Sequence, residues 1–495
     1  MRAAVLNFIK SKKDNVLLTA FSAGAYPFFR YLDTHFYIAG SLRHIIFFTF
    51  LCVVCPLIII SLFFLLSKTS KLLLKYKNVL FTFLNLITFV TLILIITSTY
   101  NKRYLLYALV GTFILSFLIY KHLKKIIVFQ LVFAVMPLVA FSTKLFKSVK
   151  DSDKWLQQTD HIKSVVFKKK PNIYVIQPDG YANFSELKKG YYNFNNSKFE
   201  DVLKQNKFKL YNDFRSNYVP TVYSNSSMFG MRHHYYKAQS HAENETYNFR
   251  NIIVNQNPVL DILKANNYQT HLFLQEPYFI LGNELKGFDT CNISSNEVSY
   301  FSNGFDLDRN ITEDFEDLIK QNGNDAHFFF LEQLQPWHIS NNKQQENAKE
   351  KERKAYLERL VDANLWLENI ISLINTNDPN ALIVIVADHG GFVGFNYESE
   401  SRTKTQDRDL TYSAFTSALA IKWPDDSAKS YDKDLKTSVN LFRTIFSYLS
   451  EDISFLEHLQ KDDSYLIIEN GAPKGVYKVI NDKDYITFDK LNSKN

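Results

Sequence analysis

The stretch IIFFTFLCVVCPLIIISLFFLL at 45–66 places the strongest constraint on how this chain can fold. About 20 mostly apolar residues suffice for a helix to cross the hydrocarbon core of a bilayer. Inside that core only a helix or a closed barrel satisfies its own backbone polar groups. Three further runs of the same kind follow, at 79–98, 104–120 and 126–142. A fifth, VLLTAFSAGAYPFF at 16–29, is shorter and ends at Arg30 and Asp33. Ala23 and Ala25 in it look like small cleavage-site residues, but fewer strongly apolar residues precede them than the roughly 7 to 15 of a signal sequence. The run therefore reads as an uncleaved span, and residues 1–143 as a transmembrane domain of five spans.

Charge sets the expected orientation. Residues 1–150 carry 18 Lys and Arg against only Asp14 and Asp33, and the rest of the chain carries 39 basic against 48 acidic residues, so the overall +7 is the sum of +16 and −9. The basic excess lies between apolar runs, which is a membrane-topology signature and no argument for nucleic acid. Arg2, Lys10, Lys12 and Lys13 precede the first span, Lys68, Lys71, Lys75 and Lys77 follow the second, and Lys121, Lys124 and Lys125 follow the fourth. With five spans these segments share one side, the cytoplasmic one by the positive-inside rule. Everything after 143 is then expected outside the cytoplasmic membrane. Lys144, Lys147 and Lys150 open a juxtamembrane connector over 144–170, where Trp155 and Leu156 suggest a helix lying along the outer surface. Cys52 and Cys55 sit within a span and read as small apolar side chains, and Cys291 stands alone, so neither a disulfide framework nor a zinc-finger spacing exists.

Beyond 172 the apolar runs shorten. NIYVIQ (172–177), THLFLQ (270–275), HFFFLEQ (327–333), ALIVIVA (381–387) and SALAIKW (417–423) read as buried strands. Helical patterns separate them at 199–206, at 257–268 and from about 347 to 375, where Leu360, Ala363, Leu367, Ile370 and Ile374 share a face. This alternation predicts an α/β domain with a largely parallel sheet covered on both faces, whose ligands bind beyond the carboxyl ends of the strands. Three strands end there in chemistry-bearing residues: Asp179 before Gly180, Glu332 with His338 a little later, and Asp388 with His389 before Gly390 and Gly391. Each acid taken singly is an ordinary helix cap; the set suits a divalent ion bound by oxygen and nitrogen donors. SNYVPTVYSNSSMFGM (216–231) reads as a polar, Pro-containing loop, and it supplies hydroxyls, Thr221 and Ser224 among them, that a metal could activate as a nucleophile. The charged lead at 340–354 reads as solvated, and the tail from about 451 carries no assigned chemistry.

NIYVIQPDGYAN, NYVPTVYSNSSMFGM, VLDILKANNYQTHLFLQ, IVIVADHGG and SVNLFRTIFSYL, in this order over about 172–450, resemble the sulfatase-like hydrolases and transferases of the alkaline phosphatase superfamily. The bacterial membrane-anchored branch, related to lipoteichoic acid synthases and phosphoethanolamine transferases, is the most similar. The resemblance implies an alkaline-phosphatase/sulfatase-like, mostly parallel α/β sheet covered by helices over 171–495, preceded by an all-α multi-span membrane domain. It implies Asp179, Asp388 and His389 as metal ligands, Thr221 as nucleophile and further metal contact, and His338 near the substrate oxygens as donor or general acid. A divalent ion, Zn²⁺ or Mn²⁺ first with Mg²⁺ or Ca²⁺ as further candidates, is the implied cofactor. Formylglycine-type sulfate cleavage is disfavoured, because no Cys or Ser stands in a CxPxR or SxPxR setting. Only His458 follows His389, which makes a single-metal site the safer expectation.

The function expected is a phosphotransferase or phosphodiesterase of the bacterial cytoplasmic membrane with an extracytoplasmic catalytic domain, taking a phosphoethanolamine or phosphoglycerol head group from a lipid donor to a surface glycan or lipid. Two alternatives stand beside it: a phosphatase or sulfatase of surface polysaccharide with water as acceptor, and an inactive scaffold in envelope glycan synthesis.

Overall fold

A computed structural model describes residues 2–11, 13–36, 38, 41–97, 101–150, 153–236, 248–320, 325–343 and 346–491. Lys12, Ser98, the connector residues Asp151 and Ser152, and residues 344–345 of the charged lead, all used above, lie outside them. The chain divides into two compact units, Met1–Ser152 and Asp153–Asn495.

Among the described residues of the first unit three helices are long and apolar enough to cross a membrane: Leu42–Ser67, Lys71–Ile96 and Lys102–Ser148, the last interrupted by a 3₁₀ turn at Tyr120–His122. Side-chain contacts fix their directions. Along the Val16–Thr34 helix, Lys77 pairs with Asp14, Asn85 donates to Thr19 O at 2.8 Å and Phe89 meets Tyr26 at 6.0 Å, so Lys71–Ile96 runs parallel to it. Leu123–Lys150 runs the same way, with Lys124 donating to Ser11 Oγ at 2.8 Å, Phe133 stacked on Tyr26 at 4.3 Å and Lys144 paired with Asp33 at 3.0 Å. A chain joining parallel helices by short links must return between them, through Leu42–Ser67 and Lys102–Ile119. Lys77 and Lys124 therefore sit at one end of the bundle, and Arg30, Asp33 and Lys144 at the other.

The weakest apolar run proves to be the most enclosed helix of this unit. Ala20, Ser22, Ala23, Gly24 and Ala25 of Val16–Thr34 are buried, because small side chains let backbones approach closely where lipid offers no hydrophobic drive. A Cβ on Gly24 would lie 1.5 Å from Cys52 O, within the π-helical turn Phe50–Val54. Gly24→Ala is accordingly expected to destabilise the solubilised chain by about 1–3 kcal/mol, seen as a lower thermal midpoint; an unchanged midpoint would show that the helices separate without cost. Lys144 extends the Leu123–Lys150 helix and neutralises Asp33. Trp155 and Leu156 close on Gly230 within the second unit, where an added Cβ would come within 3.0 Å of both.

The second unit is built on a seven-stranded sheet of order β2-β7-β6-β1-β5-β3-β4. Its strands are β1 Ile173–Pro178, β2 Lys209–Leu210, β3 Tyr268–Leu274, β4 Thr290–Cys291, β5 Ala326–Gln333, β6 Leu382–Val386 and β7 Leu419–Lys422. The block from β6 to β4 is parallel, and β7 and β2 add antiparallel at one edge. Both faces are covered, which is why β6 reads as an unbroken apolar run. Val175, Phe328 and Val384 pack with residues of the helices Thr221–Gly230, Pro258–Ala265 and Leu441–Ser450. Tyr174, Phe329 and Ile383 pack on the other side with residues of Ser197–Gln205, Ile311–Ile319 and Ala348–Asn377.

One expectation is corrected. The stretch around Thr221 is a helix, Thr221–Gly230, all ten residues of which are buried. Its polar residues, Thr221, Ser224, Asn225, Ser226 and Ser227, are buried together with its apolar ones, so it shows no amphipathic period in sequence. The tail forms a second, antiparallel sheet, β8 Ser464–Ile468, β9 Gly475–Ile480 and β10 Ile486–Lys490. Tyr465 N donates to Asn217 O at 2.8 Å, so this sheet braces the segment leading into Thr221.

Candidate metal centre

β1 and β6 are neighbours, paired from Ile173–Leu382 to Ile176–Ile385, so their carboxyl ends deliver Asp179 and the Asp388–His389 pair side by side. Ligand-capable atoms of all three lie within 4.8 Å of one another, and all three residues are buried. His389 Nε2 stands 3.2 Å from Asp388 Oδ2 and 3.5 Å from Asp179 Oδ1. The ring's other nitrogen, Nδ1, lies 2.8 Å from Gly390 O. A carbonyl only accepts, so Nδ1 carries the proton, and in the neutral ring Nε2 offers a lone pair.

Electrostatics make this arrangement incomplete by itself. Asp388 Oδ1 accepts from Gly180 N at 3.1 Å, yet Asp388 Oδ2 and Asp179 Oδ1 are buried with no hydrogen-bond partner. Two carboxylate oxygens and a nitrogen lone pair thus converge in a water-poor site, a grouping that costs free energy unless a cation sits among them. Burial, then the neighbouring Asp388 and Glu332, push the Asp179 carboxyl well above the usual carboxylate range. Glu332 is pushed up in the same way, by burial and then by Asp388 and Glu276. Neither Glu332 oxygen has a partner, nor has the side chain of Gln177, its neighbour in strand register. Glu332 lies beside the converging trio without joining it.

Thr221 is the first residue of its helix, and its Oγ1 lies 3.1 Å from His389 Nε2. A hydroxyl at a helix N-terminus, where the helix dipole is positive, is suited to an anionic phosphoryl group. Ser224, one helical turn on, is also buried. His338 is brought close as well, its ring 5.8 Å from that of His389. Both its nitrogens are engaged: Nδ1 with Ile339 O at 2.7 Å, and Nε2 accepting from Trp337 Nε1 at 2.9 Å. Burial lowers the pKa of its imidazole, so in this arrangement it presents no proton toward the Asp179 side.

The two glycines after His389 serve close packing. A Cβ on Gly390 would come 2.2 Å from Ser413 O, and one on Gly391 2.2 Å from the Tyr356 ring; the positive φ that turns the chain belongs to Phe392. Gly180 does need its left-handed backbone, φ +69°, and a Cβ there would meet Trp337 O at 2.6 Å. Sequence reasoning passed over Tyr192 and Tyr356, whose hydroxyls hold Gly391 N at 2.8 Å and Gly180 O at 2.9 Å. Their only sequence signal is a bulky polar-tipped side chain, which carries no address.

The mostly parallel sheet thus carries a buried Asp, Asp, His and Thr grouping beyond the carboxyl ends of its central strands. A family profile described as sulfatase matches residues 186–451, more than half of the chain, and the chain belongs to that family. Among curated proteins no sequence matches it. Solved structures similar to it include the integral membrane lipooligosaccharide phosphoethanolamine transferase A of Neisseria meningitidis, at 12% identity, covering 88% of this chain and 95% of that one, TM-score 0.39. The lipoteichoic acid synthase LtaP of Listeria monocytogenes is 15% identical, with 66% and 91% covered and TM-score 0.40. The C-terminal periplasmic domain of EcEptC from Escherichia coli is 12% identical, with 63% and 93% covered and TM-score 0.42.

Proposed function

We propose that this chain is a membrane-anchored, metal-dependent phosphotransferase or phosphodiesterase that works outside the cytoplasmic membrane through Thr221. The observation that carries the reading is the Thr221 hydroxyl, held at a helix N-terminus 3.1 Å from His389 Nε2, beside the unpartnered oxygens of Asp179 and Asp388. Asp179, Asp388, His389 and the Thr221 oxygen would hold the divalent ion, Zn²⁺ or Mn²⁺ by donor type. Such an ion, when bound, lowers the pKa of the threonine hydroxyl and offsets charge on the phosphoryl oxygens.

Attack of Thr221 Oγ on phosphorus forms one P–O bond and breaks the bond to the donor's alcohol, which departs carrying the proton that Thr221 gives up. An acceptor hydroxyl then reverses the exchange and restores Thr221. His338 would act as donor or general acid once its Nε2 has taken up a proton and given up its Trp337 partner for a substrate oxygen. The anchor supports a lipid-linked donor, with a head group such as phosphoethanolamine or phosphoglycerol, and a surface glycan or lipid as acceptor. Five passes, with Lys77 and Lys124 at the cytoplasmic end of the bundle, would carry residues 171–495 to the outer side.

The test is intact-mass and peptide analysis of the full-length chain, in bilayers, after incubation with bacterial lipid extract. The expected result is a phospho-linked increment on Thr221, whose mass names the head group. An increment on Ser224 alone would reassign the nucleophile. No increment, together with no phosphodiester cleavage, would sink the proposal.

A further inference from the structure

The long helix Ala348–Asn377 has no residue among the converging ligands, yet one face of its first half reaches the loops that carry Asp179, His338 and Asp388–His389. Glu352, Tyr356 and Arg359 recur at spacings of four and three, which aligns them on that face. Tyr356 is fully buried; its hydroxyl donates to Gly180 O at 2.9 Å and accepts from Ala182 N at 3.1 Å, clasping the backbone that follows Asp179. The same ring fills the space in which a Gly391 side chain would stand, so one phenol touches the loops of Asp179 and of Asp388–His389. Arg359 donates from Nε to Pro336 O at 2.7 Å and from Nη2 to His338 O at 3.1 Å. Glu352 accepts from Ser340 N at 2.9 Å and from Ser340 Oγ at 2.5 Å. The loops are also tied to one another, Trp337 N to Asp179 O at 2.8 Å and Ile339 N to Gly391 O at 3.1 Å.

We infer that Tyr356, with Arg359 and Glu352, forms a clamp that positions the metal ligands and His338 through their backbones. The inference rests on the metal-site reading above. All three side chains bond to main-chain atoms, or to Ser340 beyond His338, and none supplies a ligand atom to the trio. Their effect is on geometry, and outer-shell partners of this kind typically alter metal affinity by about 10–100-fold.

The test titrates the full-length, solubilised chain with Mn²⁺ and with Zn²⁺, comparing wild type, Tyr356→Phe and Tyr174→Phe. Tyr174 is equally buried, and its hydroxyl bonds Asp378 at the amino end of the sheet, away from the site. Both variants lose a buried phenol hydrogen bond, so both are expected to melt earlier. Only Tyr356→Phe is expected to weaken metal binding, by at least about tenfold. Equal metal affinity in wild type and Tyr356→Phe, or equal weakening in the two variants, overturns the clamp and leaves the metal reading standing. A wild type that holds neither metal overturns both. If Tyr356→Phe fails to fold, Arg359→Lys decides: the clamp requires a raised KM for a chromogenic phosphodiester with metal affinity unchanged, and wild-type KM overturns it.

Discussion

Thr221→Ala is expected to lower phosphodiester turnover by about 10⁴-fold, the scale on which removal of an activated nucleophile acts. The fold should survive, because the side chain is small and lies at the end of its helix, where Pro220 and Asn225 still hold the backbone: Ser224 N bonds Pro220 O at 3.1 Å and the Asn225 amide bonds Thr221 O at 3.1 Å. Metal binding should persist through Asp179, Asp388 and His389, weakened by the loss of one oxygen. The measurement is steady-state turnover of a phosphodiester beside metal titration of the same preparation. Activity within about tenfold of wild type would remove Thr221 as nucleophile, while activity lost together with all metal would make it a ligand only. Thr221→Ser should recover much of the rate, since it keeps the oxygen 3.1 Å from His389 and sheds only a methyl group.

Asp388→Asn is the second large effect. It removes one of two negative charges from a buried site without changing shape, and it is expected to lower divalent-metal affinity by more than about 100-fold, beyond what outer-shell changes produce. It should also raise the thermal stability of the metal-free chain, because it removes the Asp388 repulsion that adds to burial in pushing the Asp179 carboxyl upward. The pH dependence follows from the direction of that shift. A carboxyl whose folded pKa exceeds its unfolded value keeps its proton while the unfolded chain releases one, so the metal-free fold loses stability as pH rises from the ordinary Asp value to the raised one. A cation competes with the proton and reverses this penalty. The midpoint gain on adding Mn²⁺ should therefore be larger at pH 8 than at pH 5 in the wild type, and nearly flat with pH in Asp388→Asn. A gain independent of pH in the wild type would show that the ion does not bind at Asp179 and Asp388.

Much of the architecture was legible in the chain. Runs of apolar residues at 45–66 and 79–98 become helices long enough to span a membrane, since an apolar surface of that length leaves no other structure that satisfies its backbone. The five strands read from short apolar runs are found as β1, β3, β5, β6 and β7. Asp388 and His389 were conspicuous because a fully buried central strand leaves no reason for two polar side chains except at its mouth.

Other elements carried no such mark. The Thr221–Gly230 helix is buried on every side, so its polar and apolar residues are not sorted onto separate faces by which a helix is recognised. The charged lead at 340–354 reads as solvated, but Glu352 is buried and Arg353 bonds the carbonyls of Tyr191 and Tyr192 at 3.0 Å. The strands of the tail span only five or six residues each, too short for a period that stands out in a polar segment.

The sequence by itself determined the apolar helices, the alternation of strand and helix, and the three strand ends at which ligands could stand, because periodicity and run length are local properties. The tertiary structure alone decided that β1 and β6 lie side by side, that Thr221 rather than a more distant hydroxyl meets His389, and that Tyr356 reaches two loops at once. Those facts depend on strand order and helix placement, which are set by how the faces of many elements pack together, and no window of the chain contains them.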